Sequence, residues 1–323
     1  MNLPDETLLN TLRVQSWDLF QGQAQVKRSL MIAIKAAKER AEAVDHVLLY
    51  GPPGLGKTTL AHLIAREMES QIKISSGTAL SKTGDLAAIL TNLKQGDVFF
   101  VDEVHRLRKP VEEMLYAAME DYALDIVIGK GPSARTVRID LPKFTLVGAT
   151  TRFGALAGPF RDRFGVIHRV QHYRPQELLS ILQNAAKKLK IKLDEASALE
   201  IARRSRGTPR VALKLLKRVR DFAQIHNGNQ ITPELVEESL NLQAVDKLGL
   251  TDMDRKFLIT IIEKHQGGPV GLSTIAATLS EDPITVEEVI EPYLLQIGFM
   301  KKTPKGRMIQ KSAFEHLGLP LIE

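Results

Sequence analysis

The stretch Gly-Pro-Pro-Gly-Leu-Gly-Lys-Thr-Thr at residues 51–59 constrains the fold of this 323-residue chain more than any other. Gly51, Gly56, Lys57 and Thr58 satisfy the spacing G-x-x-x-x-G-K-[ST], with Gly54 inside the loop and Thr59 just after it. In that pattern backbone N–H groups face a phosphate, the lysine reaches its outer oxygens and the hydroxyl takes Mg²⁺. Glycine is required because a side chain would occupy the phosphate's space. The flanks agree with this reading. Val47–Tyr50 is an apolar run suited to a strand buried on both faces, and Leu60, Leu63, Ile64 and Met68 recur at helical spacing. The loop thus ends on a helix N-terminus, whose dipole favours an anion. A mere Gly/Pro turn between strand and helix would not predict this agreement.

Composition narrows the remaining classes. With 44% hydrophobic residues the chain can bury substantial cores, and its length predicts two or three domains. The absence of cysteine excludes disulfides and thiolate metal sites, and the eight histidines lack ligand spacing, so Mg²⁺ is the only metal implied. There is no run of about 18 uncharged apolar residues, and Met-Asn-Leu-Pro-Asp-Glu has neither the basic start nor the apolar core of a signal peptide. These features predict a cytoplasmic protein that does not enter a membrane. A net charge of +6 favours a polyanionic partner.

Read in order, the chain alternates strands and helices through its first half. Val26, Leu30, Ile34 and Ala37 form the apolar stripe of an amphipathic helix, preceded by Trp17 and Phe20. That aromatic pair either lines a pocket or pins the N-terminal arm, and the sequence favours pinning. Strands are predicted at 72–77 and 98–103, with a helix at 84–90 between them. The second strand ends in Asp102 and Glu103, at the sheet edge where open α/β folds bind ligands; Asp102 suits a Mg²⁺ shell and Glu103 the polarising of a water. A helix over 111–120 is followed by two short β runs around Gly-Lys-Gly-Pro. In this hairpin Ile126, Val127 and Ile128 either form a partner surface or pack on their own domain. The strand beginning at Phe144 ends in hydroxyls, of which Thr151 is suited to a water or a γ-phosphate. Arg161 and Arg163 then offer charge to a neighbour's phosphate or make surface salt bridges.

From Pro175 the pattern is helical. Amphipathic segments cover 176–190 and 195–204, and a helix capped near Thr208-Pro209 carries Ala212, Leu215, Leu216, Val219 and Phe222 on one face. Arg210 at its start can reach back to a nucleotide. Residues 241–250 read as a linker, followed by helices at 254–265, 272–279 and 286–296 and then strand, turn and strand. Three helices and a hairpin describe a winged helix. Lys301, Lys302, Lys305, Arg307 and Lys311 crowd that hairpin without a carboxylate, which suits phosphate contact, the alternative being a solvated wing.

The ordered set Gly-Pro-Pro-Gly-Leu-Gly-Lys-Thr-Thr, Val-Asp-Glu-Val-His-Arg-Leu, Asp-Ile-Val-Ile-Gly-Lys-Gly-Pro-Ser-Ala-Arg, Gly-Ala-Thr-Thr-Arg, Arg-Gly-Thr-Pro-Arg and Gly-Gly-Pro-Val-Gly-Leu closely resembles the RuvB family, from about Leu12 to Gly318. Its members are bacterial Holliday-junction branch-migration motors of the AAA+ class. The resemblance implies an α/β fold: a P-loop AAA+ parallel-sheet domain at 1–171 with a hairpin inserted at about 123–141, a small helical lid at 172–244 and a winged-helix domain at 245–323. It implies ATP and Mg²⁺, double-stranded DNA at four-way junctions, RuvA and RuvC as partners, and a homo-hexameric ring. Lys57 and Thr58 become the Walker A lysine and metal ligand, Asp102 and Glu103 Walker B, Thr151 sensor 1, Arg210 sensor 2, and Arg163 an arginine finger acting across a subunit boundary. Leu12, Arg13 and Tyr173 match positions around the nucleotide, and Glu120, Asp121 and Tyr122 a stretch close to it. Ile126–Ile128 matches the element that grips RuvA, and Lys302 and Arg307 match wing residues that touch DNA, with Lys305 between them. Val14, Gln21, Thr78 and Lys302 depart from the family's usual pattern. Two other readings are another AAA+ remodeller, such as a clamp loader, and a nucleotide-gated DNA-binding regulator. The lack of cysteine opposes a zinc-bearing loader, and Glu103 with Arg163 opposes a protein without turnover.

Overall fold

The computed structural model describes residues 11–128, 135–228 and 230–321. The chain divides into two compact units, Met1–Lys188 with Gly207–Leu213, and Leu189–Arg206 with Lys214–Glu323.

In the first unit, α1 (Ala24–Arg40) buries the expected Val26, Leu30, Ile34 and Ala37. There follow β1 (Val47–Tyr50), α2 (Lys57–Glu67), β2 (Ile72–Ser76), α3 (Thr83–Leu90), β3 (Val98–Asp102) and α4 (Lys109–Asp121). Next come β4 (Ala123–Ile128), β5 (Arg135–Asp140), β6 (Thr145–Thr150), the single turn α5 (Gly158–Arg161), β7 (Val166–Arg169) and α6 (Pro175–Leu189). Five strands pair in parallel in the order β2-β3-β6-β1-β7. Burial explains the order. The apolar runs of β3 and β6 lie between neighbours and are almost wholly covered, whereas β2 and β7 at the edges have no fully buried residue. The carboxyl ends of β1, β3 and β6 therefore deliver the glycine loop, Asp102-Glu103 and Thr150-Thr151 to the same rim. The expected hairpin is a separate antiparallel pair, β4 with β5. Its Gly-Lys-Gly-Pro turn lies outside the described residues.

The second unit contains β8 (Lys192–Leu193), α7 (Glu195–Arg203), all but the first turn of α8 (Pro209–His226), β9 (Gln230–Ile231) and α9 (Pro233–Leu242). Asp194 caps α7, its carboxylate accepting the Ser197 N–H at 2.7 Å. The stretch 241–250 is not an open linker. Its first two residues continue α9, Val245 and Leu250 are buried, and Asp246 Oδ1 accepts the N–H groups of Leu248 (2.9 Å) and Leu250 (2.8 Å). Polar residues here satisfy a packed turn, so composition alone misreads them. Beyond it come α10 (Asp252–His265), α11 (Leu272–Leu279) and α12 (Pro283–Thr285). A π-helical turn at Val286–Ile290, α13 (Glu291–Gln296), β10 (Met300–Thr303), β11 (Gly306–Ile309) and α14 (Lys311–Leu317) complete the unit. The expected third helix thus exists, with a π-turn inside it, and α14 was not anticipated. Val270 adds a bridge to the hairpin, its N–H and C=O bonding Arg307 at 3.0 and 2.8 Å. Phe257, Leu258, Ile261, Ile275, Leu294 and Phe314 form the core beneath these elements.

Candidate active site and nucleic-acid interface

The glycine loop turns where only glycine fits. Gly51 has φ +140°, and a Cβ there would lie 2.3 Å from the Val170 carbonyl oxygen. Gly56, φ +96°, precedes α2, which no side chain caps, so the first-turn N–H groups are left to a ligand. The Lys57 side chain is buried, its ammonium donating to the carbonyls of Gly51 (2.8 Å) and Pro52 (2.9 Å). Burial lowers the Lys57 pKa, opposed by the nearby charges of Asp102 and Glu103.

These groups open onto a cavity of about 420 Å³. Gly54, Gly56, Lys57, Thr58 and Thr59 line it from the loop, Asp102 and Glu103 from the end of β3, Arg210 from the start of α8, and Leu12, Arg13 and Tyr173 from the remaining walls. Arg210 is fastened to the loop, its N–H donating to the Gly54 carbonyl at 3.3 Å. Tyr173 is buried; its hydroxyl donates to Leu55 O at 3.2 Å and its N–H to Gly207 O at 2.9 Å. Burial raises the pKa of that phenol, which therefore stays protonated.

Burial and then repulsion from Glu103 raise the Asp102 pKa above the ordinary carboxylate range. Asp102 Oδ1 accepts the Glu103 N–H at 3.0 Å. Two adjacent carboxylates that share the cavity with Thr58 fit a divalent cation that takes its other ligands from phosphate and water. Among the described residues no cluster of three or more His, Asp or Glu forms an all-protein metal cage. Glu103 Oε2 accepts the Thr151 hydroxyl at 3.1 Å, so Thr151 sits behind the carboxylate and does not line the cavity.

Five other residues expected around the nucleotide also lie off the cavity wall: Gly51, Glu120, Asp121, Tyr122 and Arg163. Arg163 donates to Glu120 Oε2 (2.7 Å) and Pro159 O (2.6 Å), with its guanidinium 5.0 Å from the Tyr116 ring centre. Asp121 pairs with Arg138 at 3.3 Å, and Tyr122 packs edge-on against Phe144. The structure thus gathers Arg163 and Glu120 in a second group, off the cavity that Lys57 lines. Of the aromatic pair, Trp17 is buried as a pin, whereas Phe20 lines the cavity, which corrects the expectation for Phe20. Val14, Leu19, Gln21, Pro53, Ile181, Pro209 and Leu213 also line it. Nothing local in the sequence marks Ile181 or Leu213, which reach it from α6 and α8.

In the hairpin, Ile126 is half-buried against the core of its own unit, the packed alternative for that residue. The side chains of Val127 and Ile128 lie outside the described residues. In the wing, Lys305 is exposed, but Lys302 and Arg307 have an internal partner. Glu291, fully buried, accepts Arg307 Nε and Lys302 Nζ, each at 2.7 Å. The preceding helix thus supplies a counter-charge to two of the wing's cations. No helix among the described residues is long and apolar enough to cross a membrane.

Comparison with known proteins agrees with this architecture along the chain. Residues 12–170 match the sequence model of the Holliday junction DNA helicase RuvB P-loop domain, 173–246 the RuvB AAA lid domain and 247–318 the RuvB C-terminal winged helix domain. The fold is similar to Thermotoga maritima RuvB, described as a Holliday junction branch migration motor, with 48% identity, 96% of this chain and 99% of that chain covered, and a TM-score of 0.86. A mutant of the same protein aligns at 49% identity over 95% of this chain and 99% of that one, with a TM-score of 0.87. With its P-loop, lid and winged-helix domains all accounted for, the chain belongs to the RuvB family of P-loop ATPases.

Proposed function

We propose that this protein is an ATP-driven motor that migrates four-way DNA junctions during recombination and repair, working in the cytoplasm as a homo-hexameric ring with RuvA, on junctions that RuvC resolves. The observation that carries the chemical half is the convergence of Lys57, Thr58, Asp102, Glu103 and Arg210 on one cavity. In the reaction Glu103 takes a proton from water as it attacks the γ-phosphorus of ATP, and the bond to the bridging β–γ oxygen breaks, giving ADP and phosphate. Lys57 and the loop N–H groups hold the phosphate oxygens, while Thr58 and Asp102 hold Mg²⁺, which when bound neutralises charge gathering on the β- and γ-oxygens. Leu12, Arg13 and Tyr173 surround the nucleoside, and Thr151 orients Glu103. Arg163, bonded to Glu120 and absent from the lining of its own cavity, completes a neighbour's site, where Glu120, Asp121 and Tyr122 also lie. The functional domains run 1–171, 172–244 and 245–323. Ile126–Ile128 of the hairpin bind RuvA, and Lys302, Lys305 and Arg307 face the DNA backbone.

The test is a synthetic four-way junction with labelled arms. Arm exchange is expected with ATP and RuvA, and is expected to vanish without ATP or in Lys57→Ala. ATP hydrolysis without exchange, RuvA being present, removes the motor and leaves the ATPase.

A further inference from the structure

The Val-Asp-Glu-Val-His-Arg-Leu stretch carries a histidine that the reading above does not use. Glu103 has φ +48°, so the chain turns sharply at the end of β3 and enters the one-turn helix Val104–Arg106. That turn folds His105 back beneath Glu103, with only 8% of its side chain exposed against 29% for Glu103. His105 Nδ1 lies 3.1 Å from Glu103 Oε2 and 3.0 Å from Thr150 Oγ1. Thr150 Oγ1 already accepts the Arg152 N–H at 3.0 Å. A ring nitrogen facing a carboxylate oxygen must carry its proton, since two lone pairs at this distance repel. His105 therefore carries a proton on Nδ1, which faces both Thr150 Oγ1, its hydrogen-bond partner, and Glu103 Oε2.

We propose that His105 is a positioning residue for hydrolysis, held by Thr150 so that its Nδ1 lies against Oε2 and fixes the Glu103 carboxylate. The inference rests on reading Glu103 as the base. The Thr151 hydroxyl (3.1 Å) and N–H (3.4 Å) reach the same oxygen, so donors from beyond β3 and beyond β6 converge on Oε2. Oε1 takes none of these bonds. A glutamate has three rotatable side-chain bonds, and a base that samples several orientations spends little time aimed at the attacking water. Fixing one oxygen orients the other. Thr151 is itself exposed, whereas the nearly buried His105 ring is the more rigid of the two anchors.

The experiment uses the full chain and measures steady-state ATPase with junction DNA and RuvA, alongside ADP affinity. His105→Ala is expected to lower kcat roughly 10- to 100-fold with KM for ATP and ADP affinity within about twofold, since only orientation of the base is lost. His105→Asn puts an amide N–H near the Nδ1 position and is expected to restore most of the turnover. His105→Gln puts its amide near the Nε2 position and is expected not to. The Asn and Gln variants are compared with each other as well as with Ala, so a folding failure of the alanine variant leaves the test intact. An unchanged kcat in His105→Ala, or equal losses in the Asn and Gln variants, overturns the inference. Glu103→Gln is the control: normal turnover there removes the reading of Glu103 as base, whatever His105 does.

Discussion

Glu291 is a fully buried carboxylate at the start of α13, and two of the wing's cations are bonded to it. Arg307 Nε donates at 2.7 Å and a terminal nitrogen at 3.4 Å, while Lys302 Nζ lies 2.7 Å away on the other oxygen. The Arg307 backbone is held at both its N–H and C=O by Val270, so the guanidinium is delivered to Glu291 by the hairpin itself. Glu291→Gln keeps the shape but replaces a charge with a dipole whose NH₂ end can face a cation. Removing one partner of a fully buried pair costs about 3–5 kcal/mol. Here the carboxylate is fully buried, but the Arg307 and Lys302 side chains are 16% and 42% exposed, and their exposure brings solvent screening. The expected loss is accordingly about 2–3 kcal/mol. Amide hydrogen exchange of the full chain reads this locally: protection of β10 and β11 should fall roughly 30- to 150-fold, at about 1.4 kcal/mol per decade. The only tryptophan, Trp17, lies in the other unit, and its fluorescence melt should not move. Combining Glu291→Leu with Lys302→Met and Arg307→Met should recover most of the protection, because it removes the charges together. Unchanged protection in Glu291→Gln, or a triple variant as weak as the single one, refutes the reasoning.

Two further perturbations have defined outcomes. His46 is buried; its Nδ1 accepts the Leu146 N–H at 2.9 Å and its Nε2 meets the Met119 carbonyl at 3.1 Å, so the ring is held neutral, and burial lowers its pKa. The unfolded chain then binds more protons below about pH 6.5, so stability is level above that value and falls as the pH drops from it; Trp17 melts across pH should show this acid limb, and His46→Gln should reduce its slope without abolishing it, because burial lowers the pKa values of His62, His168 and His172 of the same unit as well. Gly51→Ala puts a Cβ 2.3 Å from Val170 O at φ +140°, and urea unfolding should report a loss of about 2–4 kcal/mol, accompanied by weakened ADP binding.

What the sequence made legible was local. The strands ending at Tyr50, Asp102 and Thr150 are continuous apolar runs, and their buried positions in a parallel sheet follow from that pattern. The glycine loop and the two carboxylates were visible because their chemistry is carried by neighbouring residues. What failed to show was long-range. Ile181 and Leu213 wall the cavity from helices that begin at Pro175 and Pro209, and no spacing connects them to Lys57. The counter-charge of the wing sits on α13, so a count of carboxylates within the hairpin could not find it. Residues 241–250 read as a linker because polar side chains look alike whether they face water or, as Asp246 does, bond the backbone of a packed turn.

In the proposed motor each cleavage needs the cradle of one protomer and the arginine of the next. Steady-state ATPase of mixed variants with junction DNA and RuvA tests it most directly. Arg163→Ala keeps the cradle and lacks the arginine, while Lys57→Ala keeps the arginine and lacks the cradle. Each alone should be inactive. In a randomly mixed equimolar ring about a quarter of the seams pair an intact cradle with an intact arginine, so the mixture should recover turnover on that order. A mixture as inactive as its components, in rings verified to contain both variants, contradicts the shared seam.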